Sequence, residues 1–310
     1  MTPVAIEKKG KFALGLSLPQ QYAVIGMLMI LPTLLTFLLV IVYPLIYAIY
    51  LSFYSIYTPT QQGEWVGLEN YRAMLSSSEF WFSLRTTILW TVGTLTLQVV
   101  VGVAMALLLN LNFYFRSLAR SLVLFPYFVS TVVAVLVWRW MFNDVYGILN
   151  RAMLASGLAN MPVDWVGSMP NAMISVIVVG TWKYFPFVVI AVLARLQTIP
   201  TELYEAARID GAGTWSRFWD VTLPQLREVL VVIILLRTIW DFKEFDLIYL
   251  LTGGGPVTST QTLPLLVYKQ AFGMNAMGQA STYAIGIMVV LMVFMILYLY
   301  RTQRGREAST

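Results

Sequence analysis

Between residues 22 and 50 the chain contains no Asp, Glu, Lys or Arg. About 20 helical residues cross a hydrocarbon core about 30 Å thick, so a run of this length is suited to lipid and to little else. Five further apolar runs follow, at about 86–110, 118–142, 172–196, 227–251 and 282–300. In lipid each run must satisfy its own backbone hydrogen bonds, which makes them helices. The expected fold class is an all-α membrane protein with six transmembrane helices between 22 and 300. Tails at 1–21 and 301–310 and a structured loop at 200–224 complete the expected organisation. Charged residues are 11% of the chain, against about 25% in soluble proteins. The first run is too long and too aromatic for a cleaved leader and is expected to remain as a helix. Pro32, Pro44, Pro126 and Pro186 fall inside runs and are expected to kink them.

Lys and Arg set the orientation. With the N-terminus inside, the inner segments carry Lys8, Lys9, Lys11, Arg116, Arg120, Arg195, Arg208, Arg217, Arg227, Arg301, Arg304 and Arg306; the outer ones carry Arg72, Arg139, Arg151 and Lys269. Both termini of this multi-pass protein are therefore expected in the cytoplasm. The chain has no Cys and no His, which removes disulfides, thiol nucleophiles, imidazole bases and the commonest zinc ligands. The net charge of +5 comes without a basic stripe interleaved with aromatics, so nucleic acid is not an expected partner.

The long inner loop, 197–226, reads as two short helices. Thr201 is placed to cap the first, Glu202 and Glu205 suit its positive end, and Gly211 stops it. The second is expected from Trp215 to about Val221, ended by Pro224. Its Trp215, Phe218 and Trp219 fit either a hairpin lying on the lipid interface or a docking surface for a soluble partner.

"EAARIDGAGTWSRFWDVTLP", residues 205–224, resembles the EAA loop of permease subunits of binding-protein-dependent ABC importers. "WVGLENYRAML" (65–75), "LFPYFVSTVVAVLVWRWMFNDVYGILN" (124–150), "GTWKYFPFVVIAVLARLQTIPTELYEAARIDGAG" (180–213) and "FDLIYLLTGGGP" (245–256) are similar to landmarks of the maltose-type carbohydrate permeases. The chain departs from the best-known maltose member in having no large outer-loop domain and no additional N-terminal helices. The resemblance implies the type I importer permease fold, a place in the inner membrane of a bacterial or archaeal cell, and a heteromeric complex. That complex holds a second permease subunit, a dimer of ATP-binding subunits docked on the loop, and an extracytoplasmic solute-binding protein. The carbohydrate passes through by alternating access. By resemblance Glu205, Ala206, Ala207, Asp210, Gly211, Leu223 and Pro224 couple the chain to the ATPase. No G-x-x-x-x-G-K-[ST] is present, so no phosphate cradle belongs to this chain. ATP and Mg are expected on the partner, no cofactor on the permease itself, and no enzymatic activity of its own.

Inside the fifth run, "RTIWDFKEFDLIYLL" (237–251) holds Arg237, Asp241, Lys243, Glu244 and Asp246. On a continuous helix Arg237, Trp240, Asp241 and Glu244 form one stripe, spaced i, i+3, i+4 and i+7. Lys243 and Asp246 lie outside it, able to pair with each other or to snorkel. A charge at this depth costs about 2.5 kcal/mol or more against lipid, so the stripe must face a cavity or itself. Two accounts stand: a self-contained network holding the subunits in register, or a wall that contacts substrate. The family resemblance implies the second and carries over Lys183, Tyr184 and Phe187 from the fourth run with Arg237, Trp240, Asp241 and Glu244 from the fifth. Carboxylates and cations suit sugar hydroxyls, flat rings suit the C–H face of a sugar, and two cations leave room for an anionic sugar or glycerol-phosphate-like solute. A secondary transporter relaying ions through Asp241 and Glu244 is the alternative from another class, and an intramembrane enzyme a third. "NDVYGILN" (143–150) and "LTGGGP" (251–256) are either ordinary turns or contacts for the binding protein.

Overall fold

A computed structural model describes residues 18–57 and 63–307. Most of the N-terminal tail, with Lys8, Lys9 and Lys11, and residues 308–310 of the C-terminal tail lie outside the described residues. The chain begins with helix α1, Leu18–Phe37, continued through a π-helical turn at Leu38–Val42 into α2, Tyr43–Leu51. A short antiparallel hairpin follows, β1 (Tyr54–Ile56) with β2 (Gly63–Trp65), and then helix α3, Glu69–Ser76. The first long helix of the body is α4, Ser78–Asn110, capped where the Ser77 hydroxyl accepts from the Phe80 N–H.

The run expected as one helix at 118–142 is instead two, α5 (Arg116–Phe128) and α6 (Thr131–Met141), bent by 97°. Pro126 lies one turn before the bend, and Val129 and Ser130 are extended. After α7, Ile148–Ala155, the helix α8 runs from Asn171 to Leu196 with Pro186 inside it. The loop helices are α9, Thr201–Ile209, and α10, Thr214–Arg217. Thr201 is the first helical residue and not the cap, because Pro200 holds the capping position with no side-chain bond. Gly211 does stop the helix, at φ +80°, which a side chain would strain.

Pro224 ends nothing. From α10 the helix passes through a π turn, Phe218–Thr222, directly into α11, Leu223–Phe242. The Leu223 N–H reaches back five residues to the Phe218 carbonyl, and the widened turn accepts the proline ring that follows. The same device joins α1 to α2, where Tyr43 N–H reaches Leu38 O just before Pro44. The fifth run is also interrupted: α11 stops at Phe242 and α12, Asp246–Thr252, begins after a three-residue break. Helix α13, Leu263–Tyr268, a π turn at Lys269–Gly273 and α14, Met277–Glu307, complete the chain. Among the described residues four helical stretches are long and apolar enough to cross a membrane, Tyr22–Leu51, Ser78–Asn110, Asn171–Leu196 and Met277–Thr302, with the bent α5–α6 pair as a fifth. Helix α11 is shortened by the break and burdened by its charges.

Helices α4 and α8 form the central seam of the body. Lipid supplies no hydrophobic drive between helices, so close packing at small residues must hold them. A Cβ at Gly93 would lie 2.8 Å from Ile177, one at Gly102 2.5 Å from Val188, and one at Gly180 2.2 Å from the Trp90 ring. The core divides into three apolar clusters: one around Trp90, Val176, Val179 and Leu247, a second around Ala106, Val188, Val192 and Leu226, and a third around Phe80, Leu263, Leu266 and Tyr283. On each helix of the seam a buried polar side chain lies between the first two clusters, Gln98 on α4 and Lys183 on α8, followed on α8 by the half-buried Tyr184. Gly180→Val should force Trp90 out of its fully buried position and lower stability by about 1–3 kcal/mol, the usual cost of overpacking. A depressed midpoint in thermal unfolding of the purified protein checks this.

Candidate functional site

The polar layer is assembled from three helices. On α11, Arg237 pairs with Asp241 one turn away, and both are buried, at 3% and 0% exposure. Arg237 Nε also donates to Gln98 Oε1 on α4 at 2.8 Å. The Trp90 indole N–H donates to the main-chain carbonyl of Asp241 at 2.8 Å, so α4 grips the end of α11 twice. A buried ion pair is stable only when further hydrogen bonds offset desolvation, and these two bonds supply part of that. Gln98 Nε2 and Asp241 Oδ2 are buried without a partner among the described residues.

Glu244 stands apart from this lock. Since α11 ends at Phe242, Glu244 is in the break and not on the helical stripe expected for it. Its Oε1 accepts the Leu247 N–H at 3.1 Å, capping α12, and its Oε2 accepts the Tyr184 hydroxyl at 2.9 Å. The guanidinium carbon of Arg237 lies 4.5 Å from the Tyr184 ring centre and 5.6 Å from that of Trp240. Phe187 meets Trp240 edge to face at 5.1 Å. Tyr184, Phe187 and Glu244 are half-buried and Trp240 is 40% exposed, so this group reaches the surface of the chain.

Lys183 points elsewhere. Its ammonium donates to the carbonyls of Pro126 and Val129, at the end of α5 where the chain turns into α6. A helix C-terminus leaves carbonyls without intrahelical donors and carries partial negative charge, so a lysine there closes the bend. Trp182 packs against Trp138 at 5.6 Å. Lys243 and Asp246 are both exposed, and the ion pairs seen among the described residues are Arg237–Asp241 and Lys269–Glu79.

Residue-type reasoning about charges missed Trp90, Gln98 and a polar ladder running up α4. Ser83 Oγ and Glu79 Oε1 both accept from Gln261, Thr87 Oγ1 accepts the Leu263 N–H at 2.8 Å, and Glu79 pairs with Lys269. The signal was present as Glu79, Ser83, Thr87 and Thr91 four residues apart in an apolar helix. Of the residues expected to couple, Glu205, Ala206, Ala207, Asp210 and Gly211 lie on the α9–α10 hairpin, and Leu223 and Pro224 open α11. Glu205, Ala206 and Asp210 are exposed, Ile209 is 87% exposed at the tip, and the hairpin is tied to α11 through the Tyr204 hydroxyl and Thr222 Oγ1 at 3.2 Å. Ala207 and Leu223 are half-buried, and Pro224 is exposed on the first turn of α11. The segments 143–150 and 251–256 form ordered turns: Asn143 Oδ1 accepts from Val145 and Tyr146, and Gly253 and Gly254 have φ of +62° and +90°.

Residues 98–306 match the model of the binding-protein-dependent transport system inner membrane component. The chain belongs to that family. It is an inner-membrane permease subunit of the ABC importer class, a transport component and not an enzyme. It is 37% identical over 277 residues to the trehalose/maltose transport system permease protein MalF of Thermococcus litoralis, covering 89% of this chain and 93% of that protein. It is 34% identical to the sulfoquinovosyl glycerol transport system permease protein SmoG of Agrobacterium fabrum, covering 89% of each. In fold it matches the crystal structure of a bacterial ABC transporter that imports the acidic polysaccharide alginate, with a TM-score of 0.80, 22% identity, and coverage of 92% of this permease and 96% of that chain. A second match, with a TM-score of 0.78 and 22% identity, is the crystal structure of a bacterial alginate ABC transporter in complex with an alginate pentasaccharide-bound periplasmic protein.

Arg237→Met should strand Asp241 as a buried unpaired charge and cost about 3–5 kcal/mol, and adding Asp241→Asn should restore part of the loss. A double-mutant cycle on thermal stability reads this coupling. Lys183→Met should cost about 1.5–3 kcal/mol through its charged hydrogen bonds, and limited proteolysis should show faster cleavage near Val129 and Ser130.

Proposed function

We propose that the chain is the permease subunit of a sugar importer in which Tyr184, Phe187, Trp240 and Glu244 form this subunit's part of the substrate wall. The observation that carries this reading is the half-exposed group itself: a carboxyl and a phenol hydroxyl beside two rings set edge to face, at membrane depth between two apolar clusters. A carboxylate accepts from sugar hydroxyls, and an exposed indole offers a flat face to the C–H side of a ring. The sugar-related names of the relatives support the solute class. Lys183 and Arg237 spend donors on protein acceptors, and of Lys183, Arg237, Asp241 and Glu244 only Glu244 is not buried. This favours a neutral polyhydroxylated solute over an anionic one, and it gives Lys183, Arg237 and Asp241 the task of holding the wall in place.

The remaining assembly follows the same reading. Six crossings, with α11 and α12 together as the fifth and both termini in the cytoplasm, place the α9–α10 hairpin on the side of ATP. There Glu205, Ala206, Ala207, Asp210 and Gly211 meet an ATP-binding subunit, which carries the nucleotide and Mg. A second permease subunit closes the path, and a solute-binding protein loads it from outside, against the turns at 143–150 and 251–256. Closure of the ATPase moves the hairpins and switches access to the wall.

In the reconstituted importer, Glu244→Gln should cut transport by roughly tenfold or more, the equivalent of one charge-assisted hydrogen bond. Complex assembly should be unchanged. Glu205→Ala should leave basal ATP hydrolysis measurable while uncoupling it from transport. Uptake driven by an ion gradient in vesicles lacking the ATPase is the result that would displace the importer reading in favour of ion relay through Asp241 and Glu244.

A further inference from the structure

The aromatic cluster on α10 and the π turn that follows it has two open accounts from the sequence, a lipid-facing hairpin or a docking surface. Its surroundings choose between them. Trp215, Phe218 and Trp219 pack on one another with ring centres 5.3–6.0 Å apart. They do not project as a free knob. They form one wall of a groove of about 650 Å³ whose opposite wall is the last third of α4, with Val99, Val103 and Leu107. The lining is hydrocarbon and aromatic save for the Thr214 hydroxyl and the indole N–H groups.

Two features argue for a lipid chain over a protein. A non-obligate protein interface is only about 56–58% non-polar by area, far more polar than this groove. The α4 wall, moreover, belongs to a stretch long and apolar enough to cross a membrane. Trp side chains concentrate at headgroup level, where ring and N–H find different surroundings, and Trp215 and Trp219 are 74% and 49% exposed at the groove. A cation stands beside it: Arg217 donates to the hydroxyl of Thr214, which lines the groove, at 3.3 Å. The acid in the same turn, Asp220, accepts from Ser216 at 2.6 Å.

We propose that this groove seats one acyl chain of an anionic phospholipid, with Arg217 beside its phosphate. The position gives the lipid a lever. Phe218 opens the π turn that joins the α9–α10 hairpin to α11, so the bound chain packs directly on the joint between hairpin and helix. Neither the identity of the transported solute nor the substrate wall enters this inference.

The test uses the assembled importer, with its second permease and ATPase, in nanodiscs containing equal mole fractions of dibrominated phosphatidylglycerol or dibrominated phosphatidylcholine. Bromine quenches tryptophan emission on contact. The expected result is stronger quenching by the phosphatidylglycerol. That excess should vanish in the Trp215→Phe/Trp219→Phe variant, in Arg217→Gln, and in Ala104→Phe, which fills the groove from an exposed position on α4. Equal quenching by the two lipids in the wild type overturns the proposal, as does an excess that survives Ala104→Phe. Emission from Trp215 and Trp219 untouched by either lipid also overturns it, because a protein partner then covers the rings.

Discussion

The pairing of Arg237 with Asp241 inside a membrane helix is the constraint around which the rest of the body is arranged. Neither charge survives in lipid alone, and burial of the pair is tolerated only with further bonds and close walls. Gln98 and Trp90 provide the bonds from α4. Trp90 can lie flat against the seam only because Gly180 on α8 has no side chain to meet it. One ion pair on α11 thus fixes the register of α4 and, through α4, the approach of α8. The half-exposed group of Tyr184, Phe187, Trp240 and Glu244 sits at the margin of this lock, with Arg237 beside the rings of Tyr184 and Trp240.

Much of this was legible in the residues and some of it was not, for physical reasons. The membrane class was legible because a run such as 22–50 without charge has few other uses. The concentration of chemistry at 237–244 was legible because intramembrane charge is expensive. Its division was not. A helical wheel assumes an unbroken helix, and α11 breaks at Lys243. Glu244 therefore leaves the stripe, caps α12 and turns to Tyr184. Lys183, mid-helix beside Pro186, carries no sequence signal that its acceptors are carbonyls freed by a bend some fifty residues earlier. Which helix end needs a donor is a tertiary fact.

The two prolines that did not act as stops show the same limit from the other side. Proline removes one N–H and crowds the turn before it, so a helix end was the natural expectation at Pro224. A π turn immediately upstream widens the backbone enough to take the ring, both there and at Pro44. Nothing in the local residue types distinguishes this from an end. The packing of Leu226 into the second core cluster, where the continued helix is held, decides it.

That continuity gives α11 the form of a shaft. From Thr214 to Phe242 the chain is helical without a loop, about 40 Å at 1.5 Å per residue, with the α9–α10 hairpin fastened at one end and the buried ion pair near the other. Beyond lies the break at 243–245, and past it α12 packs with α6 and α8 in the cluster around Trp90. A turn applied at the hairpin would meet no loop before that break. Glu244 hangs there, its carboxyl shared between the first turn of α12 and the Tyr184 hydroxyl of α8.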